Sequence, residues 1–508
     1  MYNRRISLFI LLVLLLTGCT ETRNPYSNKH PFTPRRPYQE MDINLSRYKS
    51  PQLRTHQNKH MSVILSLSGG GERAAAFATG VFIGLENLKH QHHPDLNAMQ
   101  EVDYFSTVSG GGMAAGVYLS KLYDYHLALK QSGKSKTISQ FNFENEVYQN
   151  TVSHIPFFET KTGVRAALSH SYVDDLLEGL FSIFSSSTID RGDFLEKSFD
   201  DNLLDYKTRQ HSIRLEDIFI ETKSTKSIKL PILVANATIF ENGHILPFIP
   251  SQLAEYQISG YMHRLKKHSR DPDQYSYHRF ASRLPLSLAL KASGTFPVAI
   301  PATTLKADYD KEYNPYIHLL DGGIADNLGV MTGFRLFAAE TYPQVNHRVM
   351  IVVDAFKDTF SPFSQWEQAP SEAKTAIKVA GVGIDSWRGR SREIVSAMAK
   401  SNQYGNNIKT VFLSFDDIRT TISFQDLTKF GLTIDDMHKL GVTRHNKKLI
   451  HGKEPTPYLL ARSIRTTYRM SEHEFNFLVA LGRIVVFQQQ DAILNAYRWP
   501  NLQSPDKE

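Results

Sequence analysis

Cysteine is nearly absent from this chain of 508 residues, in which Cys19 is the single one. An intramolecular disulfide and a cysteine-based metal cluster are therefore excluded. Zinc-finger spacing, the aromatic signature of RNA-binding domains and a heptad array are also missing, so we expect no nucleic-acid partner. No histidine pair has the spacing of a metalloprotease site, and we expect neither a metal nor another cofactor.

The composition is that of a folded protein. Hydrophobic residues make up 41% of the chain and charged residues 21%, which are ordinary values for a globular protein with a substantial core. The length suggests one large core with insertions, or two domains. The net charge of +7 favours contact with an anionic surface, either nucleic acid or phospholipid headgroups, although a solvated basic surface is the more common explanation.

The N-terminus has the three parts of a secretory signal. Arg4 and Arg5 precede the apolar run Ile6–Leu16, whose length suits a signal peptide and is short for a membrane span. The tetrapeptide Leu16-Thr17-Gly18-Cys19 then resembles the lipobox of bacterial lipoproteins. This resemblance implies cleavage before Cys19 and a membrane anchor of acyl chains on that residue. An uncleaved signal anchor, or a cleaved signal with an incidental cysteine, is the alternative.

The segment behind the anchor predicts a tether. Thr20 follows Cys19 instead of the aspartate associated with inner-membrane retention, so we expect attachment to the outer membrane of a bacterial cell envelope. Residues 19–59 are rich in Asn, Pro, Ser and basic side chains and have few clustered apolar ones, which is typical of a linker. This tether either lies against anionic headgroups or is solvated.

A glycine loop follows the first predicted strand. The run Ser62–Leu67 predicts a buried strand, and Gly69–Gly71 lead into an alanine-rich helix from Glu72 to about Lys89. Backbone N–H groups at such a helix start suit a bound phosphate or a transient oxyanion. A dinucleotide site is the alternative, but no acidic residue stands where that motif requires one.

Ser109 lies at a second turn of the same kind. Val102–Val108 predicts a strand, Gly110–Gly112 follow, and a helix is expected from Met113 to about Lys130. A serine at a strand-to-helix turn flanked by glycines has the geometry of a nucleophile elbow, which holds the hydroxyl above the sheet. An idle serine in a structural turn is the alternative, and the neighbouring glycine loop makes it less favoured.

An aspartate completes the set of candidate groups. Asp321 follows an apolar pair, precedes two glycines and stands at the end of a predicted strand. A carboxylate within hydrogen-bond distance of Ser109 could take the serine proton directly. Val349–Val353 predicts a further buried strand downstream.

These three motifs, in this order, resemble the patatin-like phospholipase family and its cytosolic phospholipase relatives. The stretch Leu290–Pro301 resembles a further signature of that family. The resemblance implies a three-layer α/β/α fold and a dyad of Ser109 and Asp321 without histidine. It also implies an oxyanion hole in the loop Gly69, Gly70 and Gly71, and hydrolysis of acyl esters in lipids.

Two residues of the matching motifs need comment. Thr107 stands where the family has the first glycine of its Gly-x-Ser-x-Gly elbow, and we expect it to loosen or rotate the turn. Arg73 corresponds to the arginine of the oxyanion loop, where it either binds an anionic substrate headgroup or braces the loop. A surface arginine in a first helical turn is the third possibility.

The matches divide the chain. We assign residues 60–356 to a patatin-like catalytic domain with insertions and residues 357–508 to a C-terminal extension, helical in Ser391–Lys400 and Glu472–Tyr497. The expected function is that of a membrane-anchored phospholipase A or lysophospholipase acting on phospholipid or another acyl-ester lipid. A Ser-His-Asp esterase for small esters and a catalytically inactive envelope binding protein are the alternatives.

Two further stretches have apolar or basic character. Leu176–Phe184 is either part of a lipid-facing lid or, more commonly for such residues, core. Tyr261–Arg283 mixes basic and aromatic side chains, which suits a phospholipid interface, with a solvated loop as the alternative. The sequence predicts no oligomeric state.

Overall fold

A mixed sheet of nine strands is the centre of the molecule in the computed structural model. All described residues belong to the unit Glu40–Glu508. The structure describes residues 42–49, 60–132, 141–148, 151–155, 158–162, 164–174, 191–205, 212–224, 230–261, 276–297, 299–309, 315–340, 344–355, 372–400, 408–418, 422–443, 446–450 and 452–499.

The strands follow one another along the chain as β1 (Met61–Leu67), β2 (Lys89–His90), β3 (His93–Asn97), β4 (Tyr104–Thr107), β5 (Thr151–Ile155), β6 (Phe158–Thr162), β7 (Ile232–Ile239), β8 (Ile245–Pro247), β9 (Ile258–Tyr261), β10 (Thr303–Ala307), β11 (Tyr316–Asp321), β12 (His347–Asp354), β13 (Ile408–Ser414), β14 (Val442–Thr443) and β15 (Asn446–Lys447).

The helices are α1 (Gly71–Asn87), α2 (Gly110–Ser132), α3 (Phe143–Tyr148), α4 (Val164–Leu168), α5 (Arg191–Ser198), α6 (Leu215–Ile218), α7 (Pro250–Glu255), α8 (Tyr277–Ser282), α9 (Leu286–Ser293), α10 (Gly323–Asp326), α11 (Val330–Ala339), α12 (Glu372–Lys400), α13 (Phe424–Thr428), α14 (Ile434–Lys439), α15 (Pro457–Ser463), α16 (Glu472–Gln488) and α17 (Gln490–Ala496). Single turns of 3₁₀ helix, Ala98–Glu101 and Phe415–Ile418, and of π-helix, Phe199–Leu203, add to them.

The strand order of the sheet is β13-β12-β1-β4-β7-β11-β10-β9, with β8 paired to β7. The strands from β13 to β7 are parallel to their neighbours, and those from β7 to β9 are antiparallel. Parallel strands bring their carboxyl ends to one edge of the sheet. The turns after β1 and β4 therefore meet there, and the predicted α/β fold is confirmed.

The antiparallel strand β11 brings its own end to the same place. Thr107 of β4 pairs with Ala235 of β7, and Asp321 of β11 pairs with Ala237 of β7. The two ends therefore lie on opposite sides of β7 at nearly the same height. This register places Asp321 close to the turn that follows Thr107.

The C-terminal extension is more than a helical addition. Its strand β13 pairs in parallel with β12 at the edge of the sheet, which the sequence did not predict. Its helix α16 packs along α1, the helix that follows the glycine loop. The predicted helix Glu472–Tyr497 is two helices, α16 and α17, with a bend of 60° between them.

Glycines allow α16 to approach α1 very closely. A Cβ atom built on Gly80 would lie 2.1 Å from the carbonyl oxygen of Val479, and one on Gly482 would lie 2.3 Å from that of Phe77. Backbone therefore touches backbone at both positions, where no side chain fits. The contact fixes the C-terminal extension to the helix that begins at the glycine loop.

Part of the predicted tether is packed on the core. Ile43, Leu45 and Tyr48 are buried, and the Tyr48 hydroxyl accepts the N–H of Ser251. Residues 42–49 are thus no solvated linker, because their spaced apolar side chains find sites on the folded unit. The signal segment with Cys19, the remainder of the tether, the stretch Leu176–Phe184 and residues 262–275 of the basic, aromatic stretch lie outside the described residues.

Within the described ranges, no single helix combines the length and the apolar character needed to cross a membrane. The bent pair α16 and α17 meets those two criteria together. Most residues of α16 are buried inside the folded unit, as in the core helix of a globular protein.

The close contact of α1 and α16 predicts that a larger residue at Gly80 destabilises the protein. Gly80→Ala should destabilise the protein by about 1–3 kcal/mol or more, because the added methyl group overlaps the backbone of α16. The thermal unfolding midpoint should fall accordingly. Gly381→Ala is the matched control, since a Cβ atom on this helical glycine meets nothing within 4 Å. An unchanged midpoint for Gly80→Ala would contradict the close contact.

Candidate active site

Ser109 lies in a sharp turn between β4 and α2. Its φ of 48° is in the left-handed region, which costs a residue with a Cβ atom about 1–2 kcal/mol. The N–H groups of Gly111 and Gly112 close the turn by donating to the carbonyls of Val108 and Ser109, each over 2.9 Å. The Ser109 N–H donates to the Ser293 hydroxyl over 3.0 Å, so the strained conformation is stabilised on both sides.

The elbow and the glycine loop contact each other through their backbones. A Cβ atom on Gly110 would lie 1.9 Å from the carbonyl oxygen of Gly71, and one on Gly111 would lie 2.7 Å from that of Leu67. Only glycine permits this approach. The two turns recognised separately in the sequence are therefore halves of one site.

Thr107 fits the elbow without loosening it. Its side chain is buried, and its hydroxyl donates to the carbonyl of Val234 on β7 over 3.3 Å. The carbonyl of Thr107 accepts from the side-chain amide of Asn236 over 3.0 Å. The expected loosening is therefore corrected, because β7 accommodates the larger side chain and binds its hydroxyl.

Asp321 reaches Ser109 from the end of β11. Its carboxyl group is close enough to the Ser109 side chain for the two to interact, and its Oδ1 accepts the N–H of Gly323 over 2.8 Å. Burial raises the pKa of Asp321 to about 6, although the N–H of Gly323 and the Ser109 side chain lower it. The group is thus a carboxylate at neutral pH and a much stronger base than an exposed aspartate.

The signature Leu290–Pro301 contacts both Ser109 and Asp321. It contains the end of α9 and the turn that follows. Ser293 fixes the elbow through its hydroxyl, and its carbonyl accepts the N–H of Gly322 over 3.1 Å. The carbonyl of Thr295 accepts the N–H of Asp321 over 2.8 Å. One short segment therefore positions both Ser109 and Asp321.

The predicted oxyanion loop is only partly available as a donor. The N–H of Gly69 donates to the carbonyl of Asn327 over 3.0 Å. By contrast, the N–H groups of Gly70, Gly71 and Gly110 donate to no residue in the described part of the chain. Gly69 is thus corrected to a structural role. Gly110, directly after the serine, stands where a nucleophile elbow supplies an oxyanion donor.

Arg73 braces the loop. Its side chain is 2% exposed, and its guanidinium donates to the carbonyls of Ala355 and Ile464 over 3.1 and 3.2 Å. Burial lowers its pKa to about 10, while Asp354 raises it. The substrate-binding assignment is corrected: the buried guanidinium is bound to backbone, and it is not a surface arginine either.

Glu72 is a second buried carboxyl group at the loop. It is 0% exposed, and neither of its oxygens has a hydrogen-bond partner among the described residues. Burial, and next Glu474, raise the pKa of Glu72 to about 9. At neutral pH the group is uncharged, so it does not oppose negative charge at the start of α1.

Three residues at the site were not predicted as site residues. Ser293 was recognised only as part of a signature, and Asn327 follows the Asp-Gly-Gly motif within a helical turn. Tyr468 comes from the C-terminal extension, and its hydroxyl donates to the Gly294 carbonyl over 2.6 Å. A Cβ atom on Gly294 would lie 2.6 Å from this hydroxyl and 3.6 Å from Oγ of Ser109, so Tyr468 is close to the serine. No local pattern around Tyr468 indicates this contact.

Residues 65–333 match the family described as patatin-like phospholipase. No curated protein sequence matches the chain. Among solved structures, human GIVD cytosolic phospholipase A2 is similar at a TM-score of 0.38 and 14% identity, over 86% of this chain and 60% of that one. The complex of that enzyme with methyl gamma-linolenyl fluorophosphonate is similar at a TM-score of 0.39 and 15% identity, over 86% of this chain and 58% of that one. The chain thus spans about 60% of the length of these structures.

The raised pKa of Asp321 predicts how the reactivity of Ser109 depends on pH. A base must be deprotonated, so labelling of Ser109 by a fluorophosphonate should fall about tenfold per pH unit below the pKa of about 6 and level off above it. An ordinary aspartate would keep the plateau down to about pH 4. The measurement is the labelling rate constant against pH, with Asp321→Asn as the control that loses the dependence. A flat profile in the wild-type protein between about pH 4.5 and 7.5 would contradict this assignment.

Proposed function

Because the chain belongs to the patatin-like phospholipase family, we propose that it is a lipid acyl hydrolase of the phospholipase A or lysophospholipase type. Ser109 is its nucleophile and Asp321 its base. The observation that carries the proposal is the position of the buried Asp321 carboxyl group, which the register of β4 and β11 on β7 brings to the strained turn of Ser109. The substrate is a phospholipid or another lipid with an acyl ester.

The acylation step follows from this geometry. Asp321 takes the hydroxyl proton of Ser109 as Oγ bonds to the ester carbonyl carbon. The carbonyl oxygen becomes an oxyanion and accepts hydrogen bonds from the N–H groups of Gly70, Gly71 and Gly110. The tetrahedral intermediate then collapses, the bond to the leaving alcohol breaks, and the proton on Asp321 passes to the alcohol oxygen.

Deacylation repeats the steps with water. Asp321 removes a proton from a water molecule that attacks the acyl-enzyme carbonyl. The same N–H groups stabilise the second oxyanion. When the intermediate collapses, the proton returns to Oγ of Ser109, and a fatty acid leaves. The enzyme is thereby restored with no net change in its protonation.

The alternative of a Ser-His-Asp esterase requires a histidine at the site. Among the described residues, the side-chain partners of Ser109 and Asp321 include none. A catalytically inactive binding protein would not need a buried base in contact with a strained serine. These observations favour the dyad.

Replacement of the dyad tests the proposal. Ser109→Ala should lower the release of fatty acid from phospholipid vesicles by at least about 10³-fold, because the nucleophile is lost. Asp321→Asn should lower it by about 10²–10⁴-fold through loss of the base. The protein used lacks residues 1–19, and initial rates of fatty-acid release are measured.

Exposed residues of the same types supply the controls. Ser396→Ala and Asp491→Asn alter exposed side chains and should leave the rate unchanged. If Ser109→Ala retains the wild-type rate, the assignment is wrong. A wild-type protein that neither releases fatty acid nor reacts with a fluorophosphonate would instead support the inactive binding protein.

We also propose that the protein is anchored in the outer membrane of a bacterial envelope through acyl chains on Cys19. The support is the order of a basic n-region, an apolar run and Leu16-Thr17-Gly18-Cys19. Several acyl chains on one residue give stable attachment, whereas one chain binds only marginally. Such an anchor would hold the enzyme at a membrane that contains its substrate.

A cysteine substitution checks the anchor. In a Gram-negative host fed a labelled fatty acid, the wild-type protein should carry the label and sediment with outer membranes. Cys19→Ala should lose the label, because the acylation site is missing. Labelling that persists in this variant would exclude lipidation at Cys19. A labelled wild-type protein found in inner membranes would contradict only the outer-membrane location.

A further inference from the structure

The connection Ile464–Met470 crosses the glycine loop, and we call it the C-terminal strap. It joins α15 to α16 and lies outside residues 65–333, which match the family. The carbonyl of Thr467 accepts the N–H of Glu72 over 3.1 Å. A Cβ atom on Gly71 would lie 2.5 Å from that same oxygen. The strap is thus seated directly on the loop that supplies oxyanion donors.

Two anchors fix the strap at its ends. On the side of α15, the guanidinium of Arg73 donates to the carbonyl of Ile464 over 3.2 Å. On the other side, α16 begins at a capping box in which Ser471 and Glu474 bond each other's backbone N–H. The residues between these points span the distance from Ile464 to the start of α16.

Tyr468 is the strap residue that enters the site. Its hydroxyl donates to the Gly294 carbonyl over 2.6 Å. A Cβ atom on Gly294 would lie 2.6 Å from this hydroxyl and 3.6 Å from Oγ of Ser109, so both oxygens border the same point. The Ser109 side chain and the Asp321 carboxylate both act on the Tyr468 hydroxyl electrostatically. The phenol therefore lies beside both members of the dyad.

The protonation state of this phenol suits a donor. Burial, and next the Asp321 carboxylate, raise the pKa of Tyr468 above its ordinary value. The hydroxyl therefore keeps its proton throughout the neutral range. In the resting site the phenol donates this proton to the Gly294 carbonyl, and the single hydroxyl proton of Ser109 remains for Asp321.

We propose that Tyr468 is a third catalytic residue, which donates a hydrogen bond to the oxygen of the departing alcohol. The inference rests on the proposed function. When the tetrahedral intermediate collapses, the ester carbon–oxygen bond breaks and its electrons go to the alcohol oxygen. Asp321 supplies the proton that this oxygen keeps. Tyr468 supplies a hydrogen bond while the charge develops and retains its own proton, so the protons balance.

Two substrates with different leaving groups distinguish a catalytic role of Tyr468 from a structural one. The alcohol of a glycerolipid is a poor leaving group and needs stabilisation, whereas p-nitrophenolate leaves without it. Tyr468→Phe keeps the ring and removes only the hydroxyl. We expect kcat for a phospholipid to fall about 10²-fold, as for loss of one donor to developing charge. The rate with a p-nitrophenyl ester of the same acyl chain should change less than about threefold.

Two controls accompany the variant. Tyr458→Phe removes a hydroxyl from the same extension that accepts from Arg462, and it should alter neither rate. Arg469→Ala changes an exposed side chain of the strap and should leave the ratio of the two rates at the wild-type value. Fluorophosphonate labelling of Tyr468→Phe at nearly the wild-type rate shows that the variant is folded with an intact dyad.

Each outcome has a definite meaning. Equal losses on both esters in Tyr468→Phe, or no loss on either, would overturn the role of Tyr468 and leave the dyad in place. If the wild-type protein cleaves neither ester although a fluorophosphonate labels Ser109, the proposed function fails, and the role of Tyr468 fails with it. A loss confined to the phospholipid supports the proposal.

Discussion

The close approach of two turns, Gly69–Gly71 and Ser109–Gly111, is the constraint on which the site depends. Their backbones are in direct contact, with the carbonyl of Gly71 against Cα of Gly110. This contact brings Gly70, Gly71 and Gly110, whose N–H groups donate to no residue in the described part of the chain, next to Ser109. A side chain on either turn would separate them. The positive φ of Ser109 is the conformational cost of that arrangement, and it is offset by the hydrogen bonds of the elbow.

The pKa of Asp321 results from two opposing effects of this packing. Burial destabilises the carboxylate and raises its pKa, while the Gly323 N–H and the Ser109 hydroxyl stabilise it. The balance, at about 6, leaves a group that is ionised at neutral pH and still basic enough to accept a proton from serine. The neighbouring Glu72 has no such hydrogen bonds, and its pKa is raised to about 9. Two buried carboxyl groups at one site thus differ in charge because only one of them has donors.

The sequence alone was sufficient to predict those parts of the candidate site that depend on a local pattern of residues. Strand, glycines and helix follow one another at Gly69 and at Ser109, and each turn requires those glycines for steric reasons that can be stated in advance. The role of Asp321 depended on family resemblance, because an Asp-Gly-Gly turn is common. Its position beside Ser109 follows from the register of β4 and β11 on β7, which a single sequence does not specify.

The contacts that could not be predicted join parts of the chain far apart in sequence. Nothing in the sequence of strand β13 indicates that it pairs with β12, and no motif surrounds Tyr468. A partial signal was present in the helices, since glycines within a helical pattern such as Gly80 and Gly482 often mark close packing. Such glycines indicate close packing of two helices, but they do not identify the helix that packs against them.

The C-terminal extension is, in this structure, a component of the candidate site. Strand β13 covers the edge of the sheet beside β12, α16 is fixed to α1 by glycine contacts, and the strap covers the loop at the start of α1. The strap leads directly into α16, so the contact of α16 with Gly80 and the contact of the strap with Gly71 hold the same segment against α1. The family match ends at residue 333, yet the hydroxyl beside Ser109 comes from residue 468. The boundary of the matched domain is therefore not the boundary of the site.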